Sequence, residues 1–169
     1  MKLELDSESA DIPEADVRNA LNEILEANRL LTLATAGKSR PWASVAFFAA
    51  DAELNLYILT EVDSQHALNT KLDPKVAVTI FDSHQDWGPG DLRGLQVEGI
   101  CHRLDGHSRE IGWAAYSERF SEVKRYFEST EDLDDDGESD IYMIQLQSIK
   151  MLYERHFGPE RYVQLNVIR

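Results

Sequence analysis

Three strand-forming stretches follow one another between Leu30 and Thr60 with almost no chain between them. Residues 30–36 and 42–50, rich in Ala, Val, Leu and Phe, are joined by a turn at Gly37-Lys38-Ser39, and Asp51-Ala52-Glu53 turns the chain into residues 54–60. A parallel pair needs a crossover of a dozen or more residues, and neither connection is that long. The three strands are therefore expected as an antiparallel meander, which excludes a doubly wound parallel sheet.

The stretch 54–81 then reads strand, polar loop, short helix, strand. Leu54, Leu56, Ile58 and Thr60 fall on one face and Asn55, Tyr57 and Leu59 on the other, so the strand is apolar on both sides and expected to be well buried. Ser64 suits an N-cap, residues 65–72 make about two helical turns with Ala67, Leu68 and Leu72 on one face, and Asp73-Pro74 ends them. Val76, Val78 and Ile80 begin the next strand. A helix that starts directly after a strand presents unpaired N–H groups at one point, which makes Thr60, Ser64 and His66 a candidate anion site.

Either side of this unit the periodicity is plain. Residues 1–12 are polar and acidic and read as a frayed arm before a single domain over 13–169. Val17, Ala20, Leu21, Ile24 and Leu25 recur at helical spacing, with Pro13, Glu14 and Asp16 suited to the first turn, so a helix is expected over 13–28. A loop over 82–94 carries Gly88-Pro89-Gly90, and a long strand is expected over 95–104. Trp113, Tyr116, Phe120, Val123 and Phe127 form the stripe of a helix over 108–129, an acidic loop covers 128–140, and strands are expected over 141–152 and 161–168. About six to seven strands with peripheral helices make an α+β chain built on an antiparallel barrel.

The net charge of −14 excludes a generic nucleic-acid or anionic-membrane binder, because both need Lys and Arg against phosphates. No apolar run reaches the ~20 residues of a membrane span. The lone Cys101 cannot form an intramolecular disulfide, and no leader is visible, so the cytoplasm is the expected compartment.

The order T-x-x-x-S-x-H-A-L, L-D-P-x-V-A-V and G-L-Q-V-E-G-I, together with LYILTE and A-Y-x-x-R-F, resembles the FMN-binding split barrels related to pyridoxamine 5'-phosphate oxidase, in a small uncharacterised bacterial branch. The resemblance covers residues 30–152. It implies a split β-barrel homodimer with FMN at the subunit interface and an oxidoreductase that passes hydride or electrons to or from a small substrate. Leu59 and Thr60 correspond to the phosphate-side strand end, and Ser64, Gln65 and His66 to the phosphate loop. Trp42, Ala43, Ser44, Val45, Ala46 and Phe47 correspond to the strand facing the flavin ring, and Gln96 to a glutamine that touches it. Gln65 and His66 stand where the oxidase has Arg and Lys, and the C-terminal NVIR lacks its Arg-x-His, so oxidation of pyridoxamine phosphate itself is not expected. The alternative is a non-catalytic module that holds haem, a deazaflavin or another planar ligand.

Each of these residues also has an ordinary reading: Ser64 as a cap, Thr60 and Gln96 as strand residues, Trp42 as core or interface. Asp132, Asp134, Asp136 and Gly137 begin like a calcium loop, but the twelfth position is Met143 rather than Glu and a strand follows, so a solvated acidic loop is the better reading. Cys101, His102 and His107 have no metal spacing, and Ser121-Glu122-Val123-Lys124 is S-x-x-K without its companion motifs. No residue is nominated as a nucleophile or general base, and none as a metal ligand.

Overall fold

The meander forms in the register that its turns require. In the computed structural model, which describes residues 1–37, 40–86, 88, 90–136 and 138–169, β2 (Leu30–Ala36) pairs antiparallel with β3 (Pro41–Phe47), from Leu30 opposite Phe47 to Ala36 opposite Pro41. Lys38 and Ser39 of the first turn, Pro89 of the glycine-rich loop and Gly137 of the acidic stretch lie outside the described residues. The expected single strand over 42–50 is broken at Phe48. That residue is fully buried and donates its N–H to Arg29 O at 3.1 Å, so only Ala49–Ala50 continue, as β4 paired with β5 (Asn55–Glu61).

The remaining strands are β1 (Lys2–Leu5), β6 (Lys75–Phe81), β7 (Arg93–Arg103), β8 (Ser139–Tyr153) and β9 (Tyr162–Ile168). The sheet runs β1-β9-β8-β7-β6-β2-β3, while β5 pairs with β8 off that path. The 15-residue β8 organises the curl: its first half lies between β7 and β5 and its second between β7 and β9. A register shift at Glu98/Gly99 bends β7, and Gly is needed there because a Cβ would stand 2.8 Å from Gln145 O. The result is an α+β split barrel of nine described strands rather than six to seven. The difference comes from the break at Phe48 and from β1.

The N-terminal strand corrects the expectation of a frayed arm over 1–12. Lys2 to Leu5 pair residue by residue with Ile168 to Leu165, and Leu3 is buried, so alternating leucines outweigh the acidic composition. Helix α1 (Glu14–Ala27) buries the expected stripe of Val17, Ala20, Leu21, Ile24 and Leu25 in the main core with Leu33, Val78, Val97 and Ile149. Its C-terminal carbonyls are capped from a distance: Arg119 Nη2 donates to Leu25 O at 2.8 Å, Asn28 O at 2.6 Å and Glu26 O at 3.3 Å. These are the orphan acceptors of a helix end, and a cation there also suits the dipole.

A second core forms beneath α3 (Gly106–Arg119), from Trp113, Tyr116, Phe120, Tyr57, Leu104 and Ile141. Gly112 permits the close approach, since a Cβ would meet Ile141 at 2.8 Å, Leu104 at 2.9 Å and Tyr57 at 3.0 Å. The expected helix over 108–129 ends early: Phe120 leaves the helical conformation (φ −124°, ψ 70°), a 3₁₀ turn covers Ser121–Arg125, and α4 (Thr130–Asp136) replaces part of the expected acidic loop. The Asp132 carboxylate accepts from the N–H of Glu128 and Ser129 at 2.5 and 3.0 Å, ahead of that helix.

Candidate functional site

The strand-to-helix junction brings three expected residues together. Thr60 lies near the end of β5, Ser64 is the N-cap of α2 (Gln65–Leu72), and His66 is in its first turn. His66 Nε2 is 2.7 Å from Thr60 Oγ1 and 3.3 Å from Ser64 Oγ, and the two hydroxyls are 3.5 Å apart. Ser64 donates its hydroxyl to Glu61 O at 2.8 Å and accepts the N–H of Ala67 at 3.4 Å. Burial pushes the His66 pKa below its ordinary value, and the Glu61 carboxylate opposes that only in part. At neutral pH the imidazole is thus mainly the uncharged form, a hydrogen-bonding partner with one donor and one acceptor.

Helix α2 presents a different face to the sheet than its apolar residues suggest. Leu68 and Leu72 are 43% and 61% exposed, while Ala67, Asn69 and Thr70 are buried. Asn69 Nδ2 donates to the buried Thr35 Oγ1 at 2.9 Å, and its Oδ1 accepts from Gln65 Nε2 at 2.9 Å. This buried amide locks the helix on β2, so a polar anchor joins Ala67 on the buried side while Leu68 and Leu72 of the expected apolar face stay exposed. Opposite Thr60 across β5 and β8 stands Asp140, buried and bound to the guanidinium groups of Arg103 and Arg109, the latter at 2.6 Å. This cluster stiffens the strand end that carries Thr60.

The six candidate residues on β3, Trp42 to Phe47, divide by the pleat. Trp42, Ser44 and Ala46 are opposite Thr35, Leu33 and Leu31, whereas Ala43, Val45 and Phe47 are opposite Ala34, Thr32 and Leu30 on the other face. Trp42 joins Gln65, Leu68, Asn69 and Leu72 around a cleft of about 250 Å³, whose cation is Arg40. Val45 belongs to a lateral row that continues through Thr32, Thr79, Gln96, Lys150 and Gln164, each opposite the next. Residues directly opposite one another share a face, so Val45 and Gln96 stand on the same outer surface, about 14 Å apart over three strand spacings. The adjacent row of Leu33, Val78, Val97, Ile149 and Leu165 faces the core.

Gln96 lines a cleft of about 270 Å³ with Thr79, Phe81, Leu92, Arg93, Lys150 and Tyr162. The Lys150 ammonium lies 4.4 Å over the Tyr162 ring. This cleft and the Thr60–Ser64–His66 cluster share no lining residue, and Leu59, next to Thr60, packs partly buried on the second core. The site therefore has two parts within one chain. Sequence reasoning missed Arg40 and Lys150. Arg40 stands two residues before Trp42, but Lys150 reaches Gln96 only through the pairing of β7 with β8, which no local motif encodes.

Among the described residues no group of three or more His, Cys, Asp and Glu side chains is arranged to hold a metal ion, and no helix is long and apolar enough to cross a membrane.

Comparison with known proteins agrees with this architecture. The UPF0306 protein YhbP of Escherichia fergusonii is 30% identical over 102 residues, which span 60% of this chain and 68% of that one. A haem-binding protein from Mycobacterium smegmatis shares the fold with a TM-score of 0.68 at 17% identity, over 89% of this chain and 56% of that longer one. An FAD-binding protein from Mesorhizobium loti does so with a TM-score of 0.60 at 14% identity, over 98% of this chain and 99% of that one. The family model described as pyridoxamine 5'-phosphate oxidase matches residues 17–153. By that match the chain belongs to the pyridoxamine 5'-phosphate oxidase family, in a split-barrel branch distinct from the oxidase itself.

Proposed function

We propose that this protein is an FMN-dependent oxidoreductase of the cytoplasm, working as a homodimer and passing hydride or electrons to or from a small substrate. The observation that carries the reading is the convergence of Thr60, Ser64 and His66 at the N-terminus of α2, within 3.5 Å of one another. Two hydroxyls, an imidazole and the first N–H groups of a helix fit a phosphate ester, and a helix terminus adds about 0.3–1 kcal/mol toward an anion. Micromolar binding needs about −8 kcal/mol, so most of the affinity must come from burying the ring. Val45 and Gln96 on one outer face, with Thr32 and Thr79 between them, offer that surface, and Lys150 offers a charge beside it.

FMN, when bound, supplies the hydride and single-electron chemistry. The protein's part is to hold and orient it: Thr60, Ser64 and His66 at the phosphate, Gln96 by a side-chain amide at the ring edge, and β3 by its exposed strand. A second copy of the chain excludes water. Support for that dimer is the exposed apolar side chains of Trp42, Leu68 and Leu72, which line one cleft. Support for a reducing compartment is Cys101, single and buried.

The rival reading is a non-catalytic barrel for haem, a deazaflavin or another planar ligand, and the fold likeness to the mycobacterial haem-binding protein favours haem among these. Parallel titrations with FMN and haem separate the two readings. On the flavin reading FMN binds tighter than haem, and Thr60→Val and Gln96→Ala each weaken it by about 3- to 10-fold, with independent effects in the double variant. Haem binding in the absence of FMN binding would replace the proposal with its rival.

A further inference from the structure

At the far end of β3, where Phe47 closes the strand proposed to face the flavin, a pocket of about 370 Å³ forms around the side chain of Arg29. Phe47 and Phe120 meet edge to face with centroids 5.4 Å apart, and Tyr116 lies 5.1 Å from Phe120. The Arg29 guanidinium sits 5.1 Å above the Phe120 ring and 5.7 Å from the Phe47 ring. Phe120 and Tyr116 are buried and form the floor, while Tyr126, 80% exposed, stands on the rim with Glu122.

The charge arrangement is the informative part. In a chain with 31 acidic and 17 basic residues, most guanidinium groups find a carboxylate or carbonyl, as Arg18, Arg103 and Arg161 do. Arg29 has aromatic rings as its neighbours, and among the described residues no carboxylate forms an ion pair with it. A second cation, Arg119, lies 5.9 Å from the same Phe120 ring, and it is committed to the end of α1 through three carbonyl bonds. Burial, and after it the nearby charge of Arg29, lower the Arg119 pKa, as expected of two cations that share one ring. The pocket thus offers flat apolar walls and one exposed guanidinium that makes no ion pair or hydrogen bond among the described residues. Guanidinium groups match carboxylates in a planar fork, and aromatic walls match a planar ring.

We infer that the Arg29–Phe47–Phe120 pocket binds small planar aromatic carboxylates, the carboxylate on Arg29 and the ring against Phe47 and Tyr126. Glu122 on the rim opposes such a ligand by like charge and so limits its affinity. The inference does not depend on the flavin reading, because the binding is measured directly and failure of FMN to bind would leave it standing.

The test titrates the protein with 2-naphthoate and with its neutral isostere 2-naphthamide, following ligand NMR signals. The expected result is that the carboxylate binds about 10-fold tighter than the amide, a difference of about 1.4 kcal/mol. Arg29→Gln abolishes that preference, and Glu122→Gln strengthens naphthoate binding by about 2- to 3-fold without affecting the amide. Tyr126→Ala, at an exposed position that leaves the fold intact, weakens both ligands. Equal binding of acid and amide, or an unchanged preference in Arg29→Gln with native circular dichroism, would overturn the inference.

Discussion

The state of His66 gives the proposed flavin site a signature in pH. In the ligand-free protein burial holds its pKa below 6.5, so at pH 7 the imidazole is mainly neutral. A phosphate against Nε2 favours the charged form, so binding takes up a proton and affinity rises as pH falls through the higher pKa of the complex. The slope approaches tenfold per pH unit between the bound and free pKa values and vanishes outside that window. The phosphate's own second ionisation near pH ~6 works in the opposite direction, which confines the clean window to about pH 6.5–8. A charge-assisted hydrogen bond contributes about 1.5–3 kcal/mol against about 0.5–1.5 for a neutral one. His66→Gln, which can keep the 2.7 Å contact to Thr60 without a titrating charge, is therefore expected to bind FMN about 5-fold more weakly near pH 6.5 and to lose the pH slope. Quenching of flavin fluorescence at three pH values, with riboflavin as the phosphate-free control, reads this directly. Parallel slopes for FMN in the wild type and His66→Gln would refute the assignment of His66 to the phosphate. The same depressed pKa has a consequence for the free protein. His66 contributes stability that is present above about pH 6.5 and lost as pH falls through its folded value.

Further outcomes follow from the scaffold. Asp140→Asn leaves Arg103 and Arg109 facing an uncharged partner, and because Asp140 is buried but Arg103 is half exposed, urea unfolding should show a loss of about 2–4 kcal/mol. Asn69→Ala removes the bond to Thr35 and the Gln65 contact and should cost about 1–3 kcal/mol, while also weakening FMN binding through a loosened α2. Gly112→Ala gains helix propensity but drives a Cβ into Ile141, Leu104 and Tyr57, and should lower stability by about 1–3 kcal/mol in thermal or urea unfolding. Burial pushes the Cys101 thiol up to about 12, so a colourimetric disulfide reagent at about pH 8 should label it only after denaturation.

Much of this architecture is legible in the residues because local periodicity and tertiary burial agree there. The stripe of α1, the alternation of β2 and β6 and the Ser64 cap of α2 all obey that agreement, and short turns fix the antiparallel order. Legibility fails where a single long-range contact decides. Ala67, Leu68 and Leu72 read as one apolar face of α2, but only Ala67 of them is buried, and the amide of Asn69 finds Thr35 across 34 residues and shifts the buried side toward Asn69 and Thr70. Phe48 interrupts a strand of good β propensity because its N–H is taken by Arg29 O. The helix after Gly106 stops at Phe120, although the apolar spacing runs on to Phe127. For the site, the Thr60–Ser64–His66 cluster is contiguous in sequence and was readable. The row that joins Val45 to Gln96 and Lys150 depends on strand order and register, which no stretch of sequence contains.

The most direct measurement of the central claim is an equilibrium titration of the flavin-free protein with FMN, followed by absorbance and fluorescence. The account predicts saturable binding at or below tens of micromolar, about one FMN per protomer, with riboflavin at least about 10-fold weaker because it lacks the group that Thr60, Ser64 and His66 would hold. No saturation in that range, or equal affinity for FMN and riboflavin, would contradict it.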